Sequence, residues 1–408
     1  MRAALRAVLL RGASTGLDLN FAGGVFSLNN TRTDSPANIP GWTFSRTDTN
    51  GTATALDLAG NVIQFATGVP RITNRGILVE EARTNKGTSH NANPTEAAGF
   101  VGNPVNMSKS GDAAGILSVV DDAAALAAAG LSGACTSGKA YKLDNTAGAA
   151  NAIASINGTV GNLNAHAFSC YARATAGSGS VGRSGSSVGA ATFSSSAYAR
   201  VSAVLTPTAT TEVLRVQALP GAVVYFILAQ LEEGAFATSP IITTGAAGTR
   251  GADSALVNSL PALPTAFTMV AEWSREGGTD AATSYRVASL SRVADDSYSE
   301  IYQRHTNNVV RAFQRTLAAN QADVTLGTGS IGAVQRAAAR FVTNDVTGSF
   351  NGAAVVSDTV VTMPASPPLS FAAGSTNGTS GWLNGYIRRV QVLPFAATDA
   401  QLQSLTAP

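Results

Sequence analysis

Short runs of alternating apolar and polar residues, each soon cut off by glycine, asparagine or proline, constrain this chain more than any other feature. Leu17-Asp18-Leu19-Asn20-Phe21 opens the pattern, and Gly41-Trp42-Thr43-Phe44-Ser45-Arg46 repeats it with Trp42 and Phe44 on one side. Successive side chains of a strand point to opposite faces, so this period marks half-buried strands and not helices. It recurs at Ala167–Arg173, Glu212–Ala218, Val223–Glu232, Phe267–Trp273, Arg286–Leu290, Ser299–Gln303 and Val309–Gln314. The 41 glycines supply the tight turns that so many short strands require. Two stretches read as helices. Asp121–Ala129 is alanine-rich, with Asp121 or Asp122 to cap it and Gly130 to end it, and Ala397–Leu402 is a short capped helix. The expected fold class is all-β, with tandem β-sandwiches.

A chain of 408 residues exceeds one hydrophobic core. We expect a small β-rich N-terminal docking segment over 1–84, a domain over 85–245, a linker over 246–264 and a last sandwich over 265–408. The linker rests on Thr243–Pro264, which is rich in Gly, Ala and Pro and lacks periodicity. Within the first segment, Asn50-Gly51 predicts a hairpin and Gly60-Asn61 a second turn. The 27 basic residues nearly balance the 25 acidic ones, so no concentrated basic surface is offered to nucleic acid. The densest late pair, Arg388-Arg389, falls inside a strand. No long apolar run predicts membrane insertion. Arg2, Arg6 and Arg11 interrupt Met1–Arg11, which reads as a docking arm and not as an export signal. Cys135 and Cys170 fall in the same domain. A bridge between them is conceivable, but two free buried thiols are the expectation.

A search for chemistry leaves no catalytic, cofactor-binding or metal residue to name. His90, His166 and His305 lie one to a segment, without metal-ligand spacing. Glu80 and Glu81 are strand neighbours that point to opposite faces, so they cannot jointly flank a bond, and a salt bridge or turn-fixing role with Arg83 is expected instead. Gly177–Gly182 contains GxGxxG, but no helix pattern follows, so it reads as a flexible loop. Gly182-Arg183-Ser184-Gly185 has the wrong spacing for a nucleophile elbow. Glu272 stands alone on its strand, with Glu276 after it in a loop. Asp295-Asp296 and Asp345 read as solvated turns and not as calcium ligands. Tyr141, Tyr171, Tyr198 and Tyr225 sit in apolar strands and read as core, which leaves the glycan-binding residues unassigned. The expectation is a non-enzyme without a cofactor.

Three sets of motifs carry resemblances. Phe44-Ser45-Arg46, the Ala59-Gly60-Asn61 turn, Val69-Pro70-Arg71 and the block Gly76–Asn85 (GILVEEARTN) together resemble a module of tailed-bacteriophage and prophage structural proteins. Phe168–Arg173 and Ala229–Gly234 resemble strands of carbohydrate-binding, galactose-binding-like jelly rolls, and Phe236–Ile241 is similar to the exit segment of their phage versions. Gly385–Val390 with Asp399–Leu402, and the Asn351-Gly352 hairpin, resemble the concanavalin-like, laminin-G-like sandwich. These resemblances imply a jelly roll followed by a concanavalin-like sandwich in a structural protein of the virion: a head fibre, decoration or tail-associated protein. Such a protein would assemble in the host cytoplasm and attach to capsid or tail proteins through its N-terminal region. It would be a homo-oligomer, with a trimer implied by analogy. The alternative is a receptor-binding protein that recognises host surface glycan through the last domain, and a polysaccharide depolymerase is the third reading.

Overall fold

The computed structural model describes residues 16–184, 189–260, 263–278, 284–292, 296–366 and 368–408. The Met1–Arg11 arm and Asp295 lie outside these residues. The chain divides into two compact units, each assembled from separate stretches. Unit 1 takes Val69–Glu81, Ala252–Pro408 and the described part of Met1–Ser45; unit 2 takes Arg46–Gly68 and Ala82–Gly251.

Unit 1 is an antiparallel sandwich. Among the described residues, its larger sheet has ten strands, with the order Thr31–Thr33, Val25–Leu28, Leu17–Asn20, Gly385–Leu393, Phe267–Arg275, Val334–Val342, Asp345–Phe350 and Val356–Asp358. Gly76–Val79 also pairs with Gly385–Leu393 and carries Ile72–Thr73 beside it. The second sheet has seven strands: Ala319–Thr328, Val309–Thr316, Ser297–Arg304, Ser284–Arg292, Ser370–Ala373, Ser254–Val257 and Trp42–Ser45. Their alternation turns Met269, Ala271 and Trp273 of one sheet toward Leu290, Ile301 and Val310 of the other, in a single buried core. The other face of the larger sheet is covered by the helix Asp399–Thr406. Its Leu402 and Leu405 pack on Val270, Ala338 and Leu393, and a capping box between Thr398 and Gln401 fixes its start.

Unit 2 is built around two five-stranded antiparallel sheets among the described strands, with Phe168, Phe226, Leu143 and Val216 in the core. The helix forms as expected, over Ala123–Ala128, and Gly130 follows it at φ +71°. Asp122 stands at its N-cap position, but its side chain turns instead to Arg173 and Tyr198, while Asp121 just before it accepts from the Ala123 N–H. Cys135 and Cys170 are both free and buried, and burial pushes each thiol up to about 12.

The all-β class stands, but several local readings are corrected. The described residues up to 84 form no separate segment, since they divide between the two units. Leu17–Asn20 pairs on one side with Val25–Leu28 but on the other with Gly385–Leu393, and Trp42–Ser45 pairs with Ser254–Val257, so their backbone groups are completed by strands distant in sequence. The stretch 246–264 is not a bare linker, since it holds the strands Gly248–Arg250 and Ser254–Val257. Asn50, at φ +53°, turns the chain from one small sheet to another and closes no hairpin: Asp48–Thr49 pairs with Gly248–Arg250, while Gly51–Leu56 pairs with Val62–Phe65. The GxGxxG stretch is not a loop either. Gly179–Arg183 is a buried strand, and a Cβ at Gly179 would meet the Phe193 ring at 2.5 Å, so close packing explains that glycine.

Arg71 explains how unit 1 closes. Its guanidinium is fully buried and bridges Glu80, at 2.6 Å, and Asp253. Burial works against the charge, yet the two carboxylates hold the Arg71 pKa above its ordinary value. Glu80 donates its N–H to Asp253, at 2.9 Å, and its carbonyl accepts from the Asp253 N–H at 3.0 Å. Glu80 therefore bonds to both Asp253 and Arg71.

Removing one member of a buried ion pair leaves the other uncompensated, so Asp253→Ala should cost about 3–5 kcal/mol in urea unfolding. Thiol labelling with a disulfide reagent at mildly alkaline pH should modify neither cysteine in the folded chain and both after unfolding in guanidinium.

Candidate functional site: the outer face of the seven-stranded sheet

The strands Ser284–Arg292, Ser297–Arg304 and Val309–Thr316 give one set of side chains to the core and the other set to the outer face. Val287, Leu290, Ile301, Val310 and Ala312 face inward. The outward set is ordered by the register into three rows. Arg286 lies opposite Tyr302, which lies opposite Arg311; Ser289 faces Glu300, then Phe313, then Asp323; Ser291 faces Tyr298, then Arg315. A bulge between Arg286 and Ala288 shifts the period, which lets Arg286 share this face with Ser289 and Ser291.

Three aromatic rings form the centre. Phe313 lies 5.6 Å from Tyr298 and meets Tyr302 edge-on at 6.2 Å, both usual separations for attractive aromatic pairs. Arginines frame them: Arg286 is 5.7 Å from the Tyr302 ring and Arg315 is 5.8 Å from that of Tyr298. Each arginine has an acid. Arg286 donates to Glu300 at 3.2 Å, Arg315 to Asp296 at 2.9 Å, and Arg311 to Asp323. Tyr302 also donates its hydroxyl to Asp323, at 2.9 Å. Glu300 is fully buried, and that burial raises its pKa. Burial, with the Asp323 charge beside the phenol, pushes Tyr302 up to about 12. Ser291 ties the rim down by donating to Asn377 at 2.6 Å.

This cluster escaped the sequence reading, which sought aromatics in the preceding domain. Of the four tyrosines considered there, Tyr141, Tyr171 and Tyr198 are in the unit 2 core and Tyr225 packs against it. The signal was present in Tyr298-Ser299-Glu300-Ile301-Tyr302 and Arg311-Ala312-Phe313-Gln314-Arg315. Both runs alternate, and the aromatic members share parity with charges and not with the aliphatics.

The acids and histidines weighed from sequence are not brought together. Glu272 is held by Arg336 and Arg388; burial opposes its charge, but those hydrogen bonds lower its pKa. Glu276 pairs with Arg75, and Asp345 with Arg340. Asp296 lies in an exposed turn, as expected, and from there pairs with Arg315 on the rim just described. His166 is buried beside Lys86, 3.0 Å from Nε2 to Nζ. Among the described residues, no group of three or more His, Cys, Asp or Glu could hold a metal ion, and no helix is long and apolar enough to cross a membrane. In unit 2, a cavity of about 320 Å³ is lined by Arg83, Thr84, Lys86, Glu233 and Thr249. Its cations are engaged, Arg83 with the Glu233 carbonyl and Lys86 with the Val160 carbonyl.

No protein-family model matches this sequence, and no curated protein does. Solved structures show partial likenesses. The CBM40 module of a Ruminococcus gnavus IT-sialidase, bound to α2,3-sialyllactose, is 16% identical with a TM-score of 0.29, over 36% of this chain and 84% of that one. Domain 4 of AbnA, an extracellular arabinanase of Geobacillus stearothermophilus, in complex with arabinotriose, is 14% identical with a TM-score of 0.32, over 38% and 73%. Domains LG4-5 of the mouse laminin alpha1 chain are 7% identical with a TM-score of 0.26, over 60% and 88%.

The Tyr302–Asp323 hydrogen bond gives this face a direct readout. In Asp323→Asn the neighbouring charge is gone, so Tyr302 should ionise below its present value of about 12. A titration followed by NMR of ¹³C-labelled tyrosine would measure the change, and an unaltered Tyr302 would contradict the geometry.

Proposed function

We propose that this chain is a non-catalytic structural and recognition protein of a tailed-phage particle, which holds host-surface glycan on the outer face of its seven-stranded sheet. The aromatic cluster of Tyr298, Tyr302 and Phe313 carries the proposal. A sugar ring offers apolar C–H faces and a polar rim, and this surface offers aromatic faces bordered by Arg286, Arg311 and Arg315 with their acids. The pairing of those acids favours binding over cleavage. A glycosidase needs two carboxyl groups left to flank the scissile bond. Here Asp323 is engaged by Tyr302 and Arg311, and Glu300 by Arg286.

The particle context is supported by the Gly76–Asn85 block and its neighbours in sequence. In this reading the protein resides on the virion, attached to capsid or tail proteins through the N-terminal arm. It oligomerises, with a trimer as our proposal, to cover sheet edges such as Val356–Asp358.

A glycan array probed with the full chain tests the binding surface. Tyr298→Ala and Phe313→Ala should each weaken the strongest signal about tenfold, equivalent to about 1.4 kcal/mol, without lowering the melting temperature enough to unfold the chain. Silence of the unaltered protein across host glycans would overturn the proposal. Mass spectrometry of purified particles tests the other half, and absence of the chain from them would refute a virion role.

A further inference from the structure

Two hairpin turns of unit 1 share one backbone shape and differ in their residues. Leu28 pairs with Thr31 around Asn29-Asn30, whose φ angles are +47° and +66°. Thr316 pairs with Ala319 around Leu317-Ala318, at +49° and +63°. A turn with two left-handed residues suits asparagine and glycine; in other residues the Cβ crowds the following carbonyl oxygen. Of the thirteen non-glycine residues with positive φ among those described, ten are Asn or Asp. The exceptions are Leu228, buried in the unit 2 core, and the Leu317-Ala318 pair. Leu317 is 69% exposed, so packing within the chain does little to offset its strain. Strain of this kind collects where a molecule makes its contacts.

The turn stands at one end of the sandwich, beside an apolar crevice. Leu317 donates its N–H to Ser297 Oγ at 3.0 Å, and Thr316 donates its hydroxyl to the Thr362 carbonyl at 2.7 Å. Ser297 and Met363, with Phe267, Leu290, Pro364 and Pro368, line a cavity of about 20 Å³, the size of one small group. Met363 is an adaptable wall, since its unbranched side chain repacks easily. Val360, three residues before Met363, is 80% exposed, and Leu369, next to Pro368, is 50% exposed. The Asp296–Arg315 ion pair borders them. An apolar centre with a charged rim has the make-up of a protein interface. A projecting leucine and an apolar crevice on the same face complement each other, and the surface that offers both is another copy of this face.

We infer that this end of unit 1 is a contact between copies of the chain, in which Leu317 of one copy seats in the Phe267 and Met363 crevice of another. The inference rests on the homo-oligomer reading above and gives that oligomer its contact.

Analytical ultracentrifugation of the full chain over a range of concentrations tests this, and the unaltered chain should self-associate. Leu317→Asn combined with Ala318→Gly supplies the residues this turn prefers and removes the apolar point. Association should therefore weaken while the fold grows more stable. The dissociation constant should rise tenfold or more, and the urea midpoint, read where both chains are monomeric, should rise as well. Val360→Lys, at an exposed position, should weaken association about tenfold and leave the urea midpoint unchanged. Association of unaltered strength in the turn variant would overturn the contact and leave the homo-oligomer standing. A lower urea midpoint in that variant would show the turn to be unstrained and overturn the contact as well. A chain that stays monomeric at every concentration would overturn the contact and the homo-oligomer together.

Discussion

A single buried guanidinium holds together the part of unit 1 on which the rest depends. The chain leaves unit 1 after Glu81 and returns at Ala252, and Arg71 joins Glu80 to Asp253 on either side of that excursion. An earlier excursion leaves after Ser45, and Ser45 is paired with Ser254. The departure and return points are thus gathered in one place within unit 1. Unit 2 repeats the device at its own ends, where Asp48–Thr49, Arg83–Asn85 and Gly248–Arg250 form one three-stranded sheet. Burying charge is expensive, and the two carboxylates with their reciprocal backbone bonds offset that cost for Arg71. Their arrangement is tight: Gly76, at φ +125°, passes so near the neighbouring strand that a Cβ would lie 2.2 Å from the Ile387 carbonyl oxygen.

The sandwich above this junction has two unlike outer faces. The ten-stranded sheet is covered by the C-terminal helix, whose leucines extend the apolar side of the fold. The seven-stranded sheet carries rings, arginines and acids instead. A one-residue bulge makes the second arrangement work, since without it Arg286 would point into the core and Glu300 would lose its counter-ion. A small irregularity in one strand therefore decides the electrostatics of the whole face.

Strands were legible from sequence because their signal is local. Phe267–Arg275 and Val309–Thr316 announce themselves by alternation alone, and so do the two helices by alanine content and capping residues. What failed was partnership. Nothing near Leu17–Asn20 says that its neighbour is Gly385–Leu393, and nothing in Ser254–Val257 says that it bridges two distant strands. Asn50-Gly51 has the chemistry of a hairpin turn, which is equally the chemistry of a corner. The candidate site was missed for a related reason. Tyrosine and phenylalanine suit a core and a binding face alike, so Tyr298, Tyr302 and Phe313 could be assigned only once Ile301 and Ala312 were seen to occupy the interior.

The pairing of the first described strand with the last sets a timetable for synthesis. Asp18 and Arg389, ion-paired across these strands, are 371 positions apart. At about 5–20 residues per second, Leu17–Asn20 waits on the order of 20–70 s for its partner to emerge. Through that interval all of unit 2 is available to fold, while the Leu17–Leu28 hairpin keeps an open edge and an uncovered apolar side that includes Phe21 and Phe26. The nascent chain thus meets a long risk of mispairing at Leu17–Leu28, and the larger sheet of unit 1 is finished only when Gly385–Leu393 has emerged.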